Sequence, residues 1–150
     1  VGYTALFASQ LNKVSFLSVK EAEEGDLFLP GTVLIAPAGR HLTLEKNTAG
    51  SVEAHLSARP FDTLHRPSVD VLFDSAAELF GTRVLGVVMT GMGSDGREGA
   101  RAMKAGGGRI FTESEETCVV YGMPRSVVEA GLSDRQIPMN RMARAIIDSV

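Results

Sequence analysis

The sequence predicts an α/β fold built on a parallel strand–helix–strand unit with a small antiparallel hairpin ahead of it. Three observations carry this. Val84 to Thr90 is a short apolar run rich in β-branched residues, broken by the glycines of Gly91-Met-Gly-Ser-Asp-Gly96 and followed by a helical pattern from Arg97 to Ala105. Arg109 to Thr112 is a second strand, and a strand, helix and strand within about 30 residues make a βαβ unit with parallel strands. Arg40 to Glu45 and Ser51 to Leu56 are β-prone runs joined by Lys46-Asn-Thr-Ala-Gly50, which is the pattern of a hairpin.

Taken in order, Tyr3, Leu6, Phe7, Leu11 and Val14 recur at helical spacing and predict an amphipathic helix over residues 3–14. Leu17 to Lys20 is a short strand. Glu21 to Asp26 is an acidic turn of the kind that forms a solvated corner, and Pro30-Gly31 is another turn. Thr32 to Ala36 is a strand stopped by Pro37. With no crossover helix between its strands, this half of the chain reads as an antiparallel excursion. Arg59 to Arg66 is a loop. Pro67 and Ser68 open a helix whose apolar face is Val69, Leu72, Phe73, Ala76, Ala77 and Phe80, closed by Gly81. Beyond the βαβ unit, Gly106-Gly-Gly108 ends the crossover helix. Thr117 to Tyr121 is apolar, Ser126 to Ala130 is a short helix, and Arg135 to Pro138 is a last short strand. Met139, Met142, Ala143, Ile146, Ile147 and Val150 give a final amphipathic helix.

Composition bounds the function classes. A length of 150 residues suits one domain, and 44% hydrophobic with 22% charged residues is a globular balance. The net charge is −3 and no basic stretch stands out, so nucleic-acid binding has no electrostatic footprint. The apolar runs are too short to span a bilayer, and no charged and apolar leader opens the chain, so no membrane insertion is expected. The only cysteine is Cys118, which cannot form an internal disulfide; a cytoplasmic setting is the expectation.

Candidate chemistry gathers at the carboxyl end of the Val84–Thr90 strand, the usual place for it in an open α/β sheet. Asp95 lies there, at the start of a helix, where negative charge is favoured. It reads either as a helix cap or as a working carboxylate. The loop also fits G-x-G-x-x-G, with Glu113 22 residues after Gly91, near where a ribose-binding acid would stand. Against that nucleotide-binding reading, Asp95 would repel the pyrophosphate. His41, His55 and His65 form no metal motif, and the first two are expected on the surface of the hairpin. No G-x-S-x-G elbow marks a nucleophilic serine, and Cys118 is expected to be a packed, inert thiol.

Five phrases then run in order along the chain: Val19-Lys-Glu-Ala-Glu23, Ile35-Ala-Pro-Ala-Gly-Arg-His41, His65-Arg-Pro-Ser-Val-Asp70, Thr90-Gly-Met-Gly-Ser-Asp-Gly96 and Cys118-Val-Val-Tyr-Gly-Met-Pro124. Together they resemble the catalytic domain of the CheB family of chemotaxis protein-glutamate methylesterases, which are also glutamine deamidases. The resemblance implies a doubly wound α/β domain over residues 1–150, with a mainly parallel sheet and helices on both faces. It implies acyl-enzyme hydrolysis of methylglutamyl esters by a Ser-His-Asp triad, with no metal or cofactor. Asp95 falls on the triad acid, which would hold the imidazole tautomer that takes the serine proton. The backbone N–H of Met92 falls on an oxyanion donor. Arg66 and Met123 are candidates for lining the substrate cleft, although Arg66 with Asp70 reads equally as fixing a loop and a helix start. The implied partners are methyl-accepting chemoreceptor helices and a phosphorylatable receiver domain in the parent protein.

The chain departs from that pattern at its start. The family serine and histidine would precede Val1, as would the first strand, helix and second strand of the domain. The chain is therefore expected to be inactive alone, and an uncovered sheet edge is expected to make it pair, dimerise or dissolve poorly. Val1 is not a start residue, and Asp95 and Met92 are present. A shortened copy of an ordinary methylesterase is thus expected ahead of a catalytically silent, partner-binding homologue.

Overall fold

The computed structural model describes residues 2–150. The chain divides into two compact units, one reaching to Ser75 and one running from Ala76 onward. The whole is an α/β fold with parallel strands, helices and a small antiparallel hairpin.

The first unit begins with helix α1 (Tyr3–Val14) and strand β1 (Ser18–Glu21). The face of α1 that meets β1 is made of Thr4, Ala8 and Asn12, spaced four apart. Ala8 is buried, the Asn12 carboxamide oxygen accepts the Val19 N–H at 2.9 Å, and the Thr4 hydroxyl donates to the Glu21 carboxylate. Of the apolar positions that marked this helix in sequence, Tyr3, Leu6, Phe7 and Val14 are exposed and Leu11 is half-buried.

Strand β2 (Thr32–Ile35) pairs with β1 in parallel, from Ser18 opposite Thr32 to Glu21 opposite Ile35. This corrects the antiparallel expectation for this half. Parallel neighbours usually need a helical crossover. Here residues 22–31 serve instead, because they find backbone partners on a neighbouring strand. Strands β3 (His41–Lys46) and β4 (Val52–Ser57) form the hairpin, with His41 opposite Ser57 and Lys46 opposite Val52. The connecting segment bonds to β4 through Gly25 N–H to Ala54 O, Ala54 N–H to Asp26 O and Phe28 N–H to Val52 O, at 2.8–2.9 Å. The hairpin loop falls one residue later than expected, and the Asn47 side chain organises it by accepting the Ala49 and Ser51 N–H groups at 2.9 and 3.1 Å. Ala22, Leu42, Ala54 and Leu56 form the core, with Leu34, Ala36 and Leu72 packed against it.

The acidic turn is more than a solvated corner. Lys20 bridges Glu23 at 2.9 Å and Asp26 at 3.0 Å. Glu24 accepts the Leu56 N–H at 2.8 Å and the His55 Nδ1–H at 3.0 Å.

His41 corrects the surface expectation. It is 1% exposed. Its Nδ1 accepts the Ser68 N–H at 3.1 Å, so the ring carries its proton on Nε2 and donates it to Pro60 O at 2.9 Å. Thr63 Oγ1 lies 3.3 Å from the same nitrogen and spends its own proton on His65 O. The strand alternation puts His41 on the face opposite Leu42, yet the 58–68 loop folds over that face and covers it. His65, by contrast, is exposed.

Helix α2 (Val69–Phe80) passes through the division between the units. The second unit holds strands β5 (Leu85–Val88), β6 (Arg109–Glu113) and β7 (Arg135–Ile137), in that spatial order and all parallel. Helix α3 (Arg97–Ala105) connects β5 to β6, α4 (Met123–Glu129) connects β6 to β7, and α5 (Met139–Ser149) follows. Residues 110–113 of β6 are all buried, as a central parallel strand covered on both faces must be. Phe111 packs with Ile137, Met142 and Ala145, with Leu85, Val87 and Ile146 against them. By strand alternation Ile110 and Thr112 face the other way, while α3 and α4 also pack on β6.

Two helices differ from the sequence pattern. Helix α4 begins three residues earlier than expected because Pro124 is tolerated in a first turn, where its missing N–H is not needed. Helix α5 buries Met142 and Ala145, while Met139, Ala143, Ile147 and Val150 are exposed.

The Glu24–His55 pair sets a pH dependence. The hydrogen bond that His55 donates to Glu24 raises His55 above its ordinary value of 6.5, and the Leu56 N–H and His55 hold Glu24 below its ordinary 4.5. The His55 contribution to stability is present below pH 6.5 and lost as pH rises through the raised value. The Glu24 contribution is present above pH 4.5 and lost as pH falls through the lowered one. We expect the His55 ring proton resonances to titrate with a midpoint above 6.5, returning toward it in Glu24→Gln. Equal midpoints in the two proteins would contradict the pairing.

Candidate active site at the carboxyl edge of the parallel sheet

Strand β5 ends at Val88, and the chain runs through Met89 and Thr90 into the loop 91–96. Helix α3 starts after Gly96, which occupies its N-cap position at φ 102° and has no side chain to offer as a cap. Asp95 precedes it and is half-buried. Met92 stands out from the loop with 78% of its surface exposed, and among the described residues no acceptor takes its N–H.

The loop is fastened at its base to the segment after β6. Gly91 N–H donates to Val120 O at 3.0 Å. The Gly91 carbonyl accepts both Gly122 N–H at 3.1 Å and Met123 N–H at 2.9 Å. The Thr90 hydroxyl donates to Val120 O and accepts the Val120 N–H, at 3.2 and 2.9 Å. The two sequence phrases Thr90–Gly96 and Cys118–Pro124 are therefore one structural feature.

This contact leaves no room for a side chain at Gly122. A Cβ on Gly122 would lie 2.7 Å from Gly91 O and 3.0 Å from Gly93 N, and one on Gly91 would lie 2.5 Å from Met123 Sδ. The φ of Gly122, −102°, is open to any residue, so the close approach alone demands glycine there. Met123, half-buried, thus packs directly against the base of the loop.

Glu113 ends β6 beneath this contact and is 0% exposed. One carboxyl oxygen accepts the Thr90 N–H and the other the Thr117 hydroxyl, both at 2.9 Å. The Thr117 oxygen in turn accepts the Met139 N–H at 3.0 Å. Sequence reasoning placed Glu113 where a ribose-binding acid would stand. The structure corrects this, since the carboxyl is enclosed and occupied by the protein's own donors. The available signal was an acidic residue closing an otherwise buried strand.

The remaining candidates fall as follows. Cys118 is half-buried, and burial together with Glu113 and Glu115 pushes its thiol up, so it stays protonated and poorly nucleophilic. Arg66 belongs to the first unit, where it is exposed, donates to Ala58 O at 3.1 Å and lies 5.4 Å over the Phe61 ring. It fixes its own loop. Among the described residues no three His, Cys, Asp or Glu side chains cluster in a way that would hold a metal ion. No helix among them is long and apolar enough to cross a membrane.

The glycine contact is testable. Gly122→Ala forces backbone apart from backbone, an overpacking that costs about 1–3 kcal/mol. We expect a melting temperature lower by roughly 2–10 °C and faster exchange of the Gly91 amide, read by thermal denaturation and hydrogen exchange. An unchanged melt with unchanged Gly91 protection would contradict it.

Comparison with known proteins bears directly on this edge. The family model for CheB methylesterase matches residues 1–146. The protein-glutamate methylesterase/protein-glutamine glutaminase 1 of Oleidesulfovibrio alaskensis is 45% identical over 148 residues, covering 99% of this chain and 40% of its own length. The protein-glutamate methylesterase/protein-glutamine glutaminase of Moorella thermoacetica is 47% identical over 147 residues, covering 97% of this chain and 34% of its own length. The chain thus spans about two-fifths or less of the length of these curated relatives. The crystal structure of the Thermotoga maritima CheB methylesterase catalytic domain superposes with a TM-score of 0.95 at 41% identity, covering 99% of this chain and 78% of that one. With the fold, the glycine-tight loop and these matches in agreement, the chain belongs to the CheB methylesterase family.

Proposed function

We propose that this chain forms most of the catalytic domain of a protein-glutamate methylesterase and glutamine deamidase that acts on methylated chemoreceptor helices in the cytoplasm. The observation that carries the reading is the Thr90–Gly96 loop, with half-buried Asp95, fixed at the carboxyl edge of a sheet that matches a CheB catalytic domain along nearly the whole chain.

Asp95 is the acid of a Ser-His-Asp triad. Its carboxylate accepts a hydrogen bond from the imidazole and holds the tautomer that acts as base. The serine and histidine are contributed from outside residues 1–150 in the full-length protein. The serine oxygen attacks the methyl ester carbonyl, and the imidazole takes its proton. The exposed N–H of Met92 stabilises the tetrahedral oxyanion. The intermediate collapses, the imidazole passes the proton to the leaving oxygen, and methanol departs. Water then hydrolyses the glutamyl ester of the enzyme. Loss of ammonia in place of methanol gives the deamidase reaction. Met123, packed against Gly91, is a candidate for the substrate cleft, and a receiver domain in the parent protein is the candidate regulator.

The test is methanol release from a methylated receptor fragment by the full-length protein. Asp95→Asn should lower kcat by about 10⁴ with an unchanged melting temperature. Release at the wild-type rate by Asp95→Asn would remove Asp95 from the chemistry. No release by the wild-type protein would leave the silent, partner-binding homologue as the better reading.

A further inference from the structure

We propose that Glu113 is a positioning residue for the loop that carries Met92 and Asp95; its catalytic meaning rests on the methylesterase reading above, while its hold on the loop does not. A carboxyl group enclosed by protein must satisfy both oxygens internally, and among the described residues Glu113 has no cation paired with it. Its partners are instead one backbone N–H and one hydroxyl, each from a different segment of the sheet edge.

Those partners are strategically placed. Thr90 is the last residue before the glycine loop, and its amide is held at 2.9 Å from below. Thr117 begins the segment whose Val120, Gly122 and Met123 clamp Gly91, and it also receives Met139 N–H at the start of α5. One buried side chain therefore fixes the relative position of β5's exit, the clamping segment and α5. The clamp's hydrogen bonds reach the loop at its base, through Thr90 and Gly91, so the Thr90 anchor acts where the loop leaves β5. A catalytic group displaced by about 1 Å can lose on the order of 10²-fold in rate, so an anchor at this point governs turnover more than substrate binding.

The claim concerns geometry rather than charge. In Glu113→Gln the amide oxygen still accepts the Thr90 N–H, and the NH2 can donate to Thr117 Oγ1, whose own proton can turn to Ser114 O, now 3.4 Å away. Glu113→Ala removes both bonds.

The experiment compares full-length wild type, Glu113→Ala, Glu113→Gln and Met142→Ala in methanol release, well below each melting temperature, together with amide exchange at Thr90 and Val88. Met142→Ala is a core truncation that lowers stability without touching the loop. We expect Glu113→Ala to lose roughly 10- to 100-fold in kcat with KM changed less than about 3-fold. Its Thr90 amide should exchange at least about 10-fold faster while Val88 stays protected. Glu113→Gln should stay within a few-fold of wild type in both readouts, and Met142→Ala should keep its kcat. Should Glu113→Ala not fold, Thr117→Val takes its place with the same direction and a smaller loss. Thr90 exchange unchanged in Glu113→Ala, or Glu113→Gln impaired as far as Glu113→Ala, would overturn the proposal. A wild-type protein that releases no methanol refutes the esterase reading instead, and the exchange data still decide the positioning role.

Discussion

Two peptide segments at the carboxyl edge of the β5–β7 sheet approach so closely that backbone lies on backbone. The Gly91 carbonyl takes two N–H groups from the start of α4, and Gly122 fits only because it has no Cβ. The candidate site in this unit is arranged around that contact. It fixes where the loop leaves β5, so it fixes where Met92 stands out and where Asp95 meets α3. It also explains why two glycine-bearing phrases, some 30 residues apart in sequence, belong to one site.

The contact is supported from beneath by hydrogen bonding rather than by apolar packing. On β6 the apolar role ends at Phe111, whose ring anchors α5 and β7, and the strand finishes with two buried polar residues, Thr112 and Glu113. Thr112 bonds to Ser133, and Glu113 bonds to Thr90 and Thr117. Burying polar groups costs free energy unless every one is satisfied, and here they are. The strand thus changes from core to scaffold at the end where chemistry gathers in such sheets. The first unit does something similar on a smaller scale, where His41 joins the 58–68 loop to the hairpin through both ring nitrogens.

Much of this could be read directly from the chain, and the limits have physical causes. The βαβ unit was legible because β5 is an apolar run cut by glycines and α3 has a clear apolar stripe. The hairpin was legible to within one residue. The parallel pairing of β1 with β2 was not, because its short crossover is stabilised by backbone bonds to β4 that no periodicity encodes. His41 was misplaced for a related reason: alternation along β3 gives its face but not the loop that covers it. Helix α1 was legible from its apolar spacing, although it meets β1 through Thr4, Ala8 and Asn12. At the site, Asp95 was legible from its place between β5 and α3, but its role in a triad, and Met92 altogether, could be named only through the resemblance of the whole loop to a known family. Glu113 was visible as an acid at the right distance, but its burial depends on contacts with Thr90 and Thr117 that only the fold brings together.

The central claim is that Asp95 is held where it orients an imidazole. The most direct measurement is a crystal structure of the full-length protein, read at that carboxylate. The account predicts a histidine ring nitrogen within about 3 Å of an Asp95 oxygen, with a serine hydroxyl on the far side of the same ring. An Asp95 carboxylate with no imidazole within hydrogen-bond reach would contradict it.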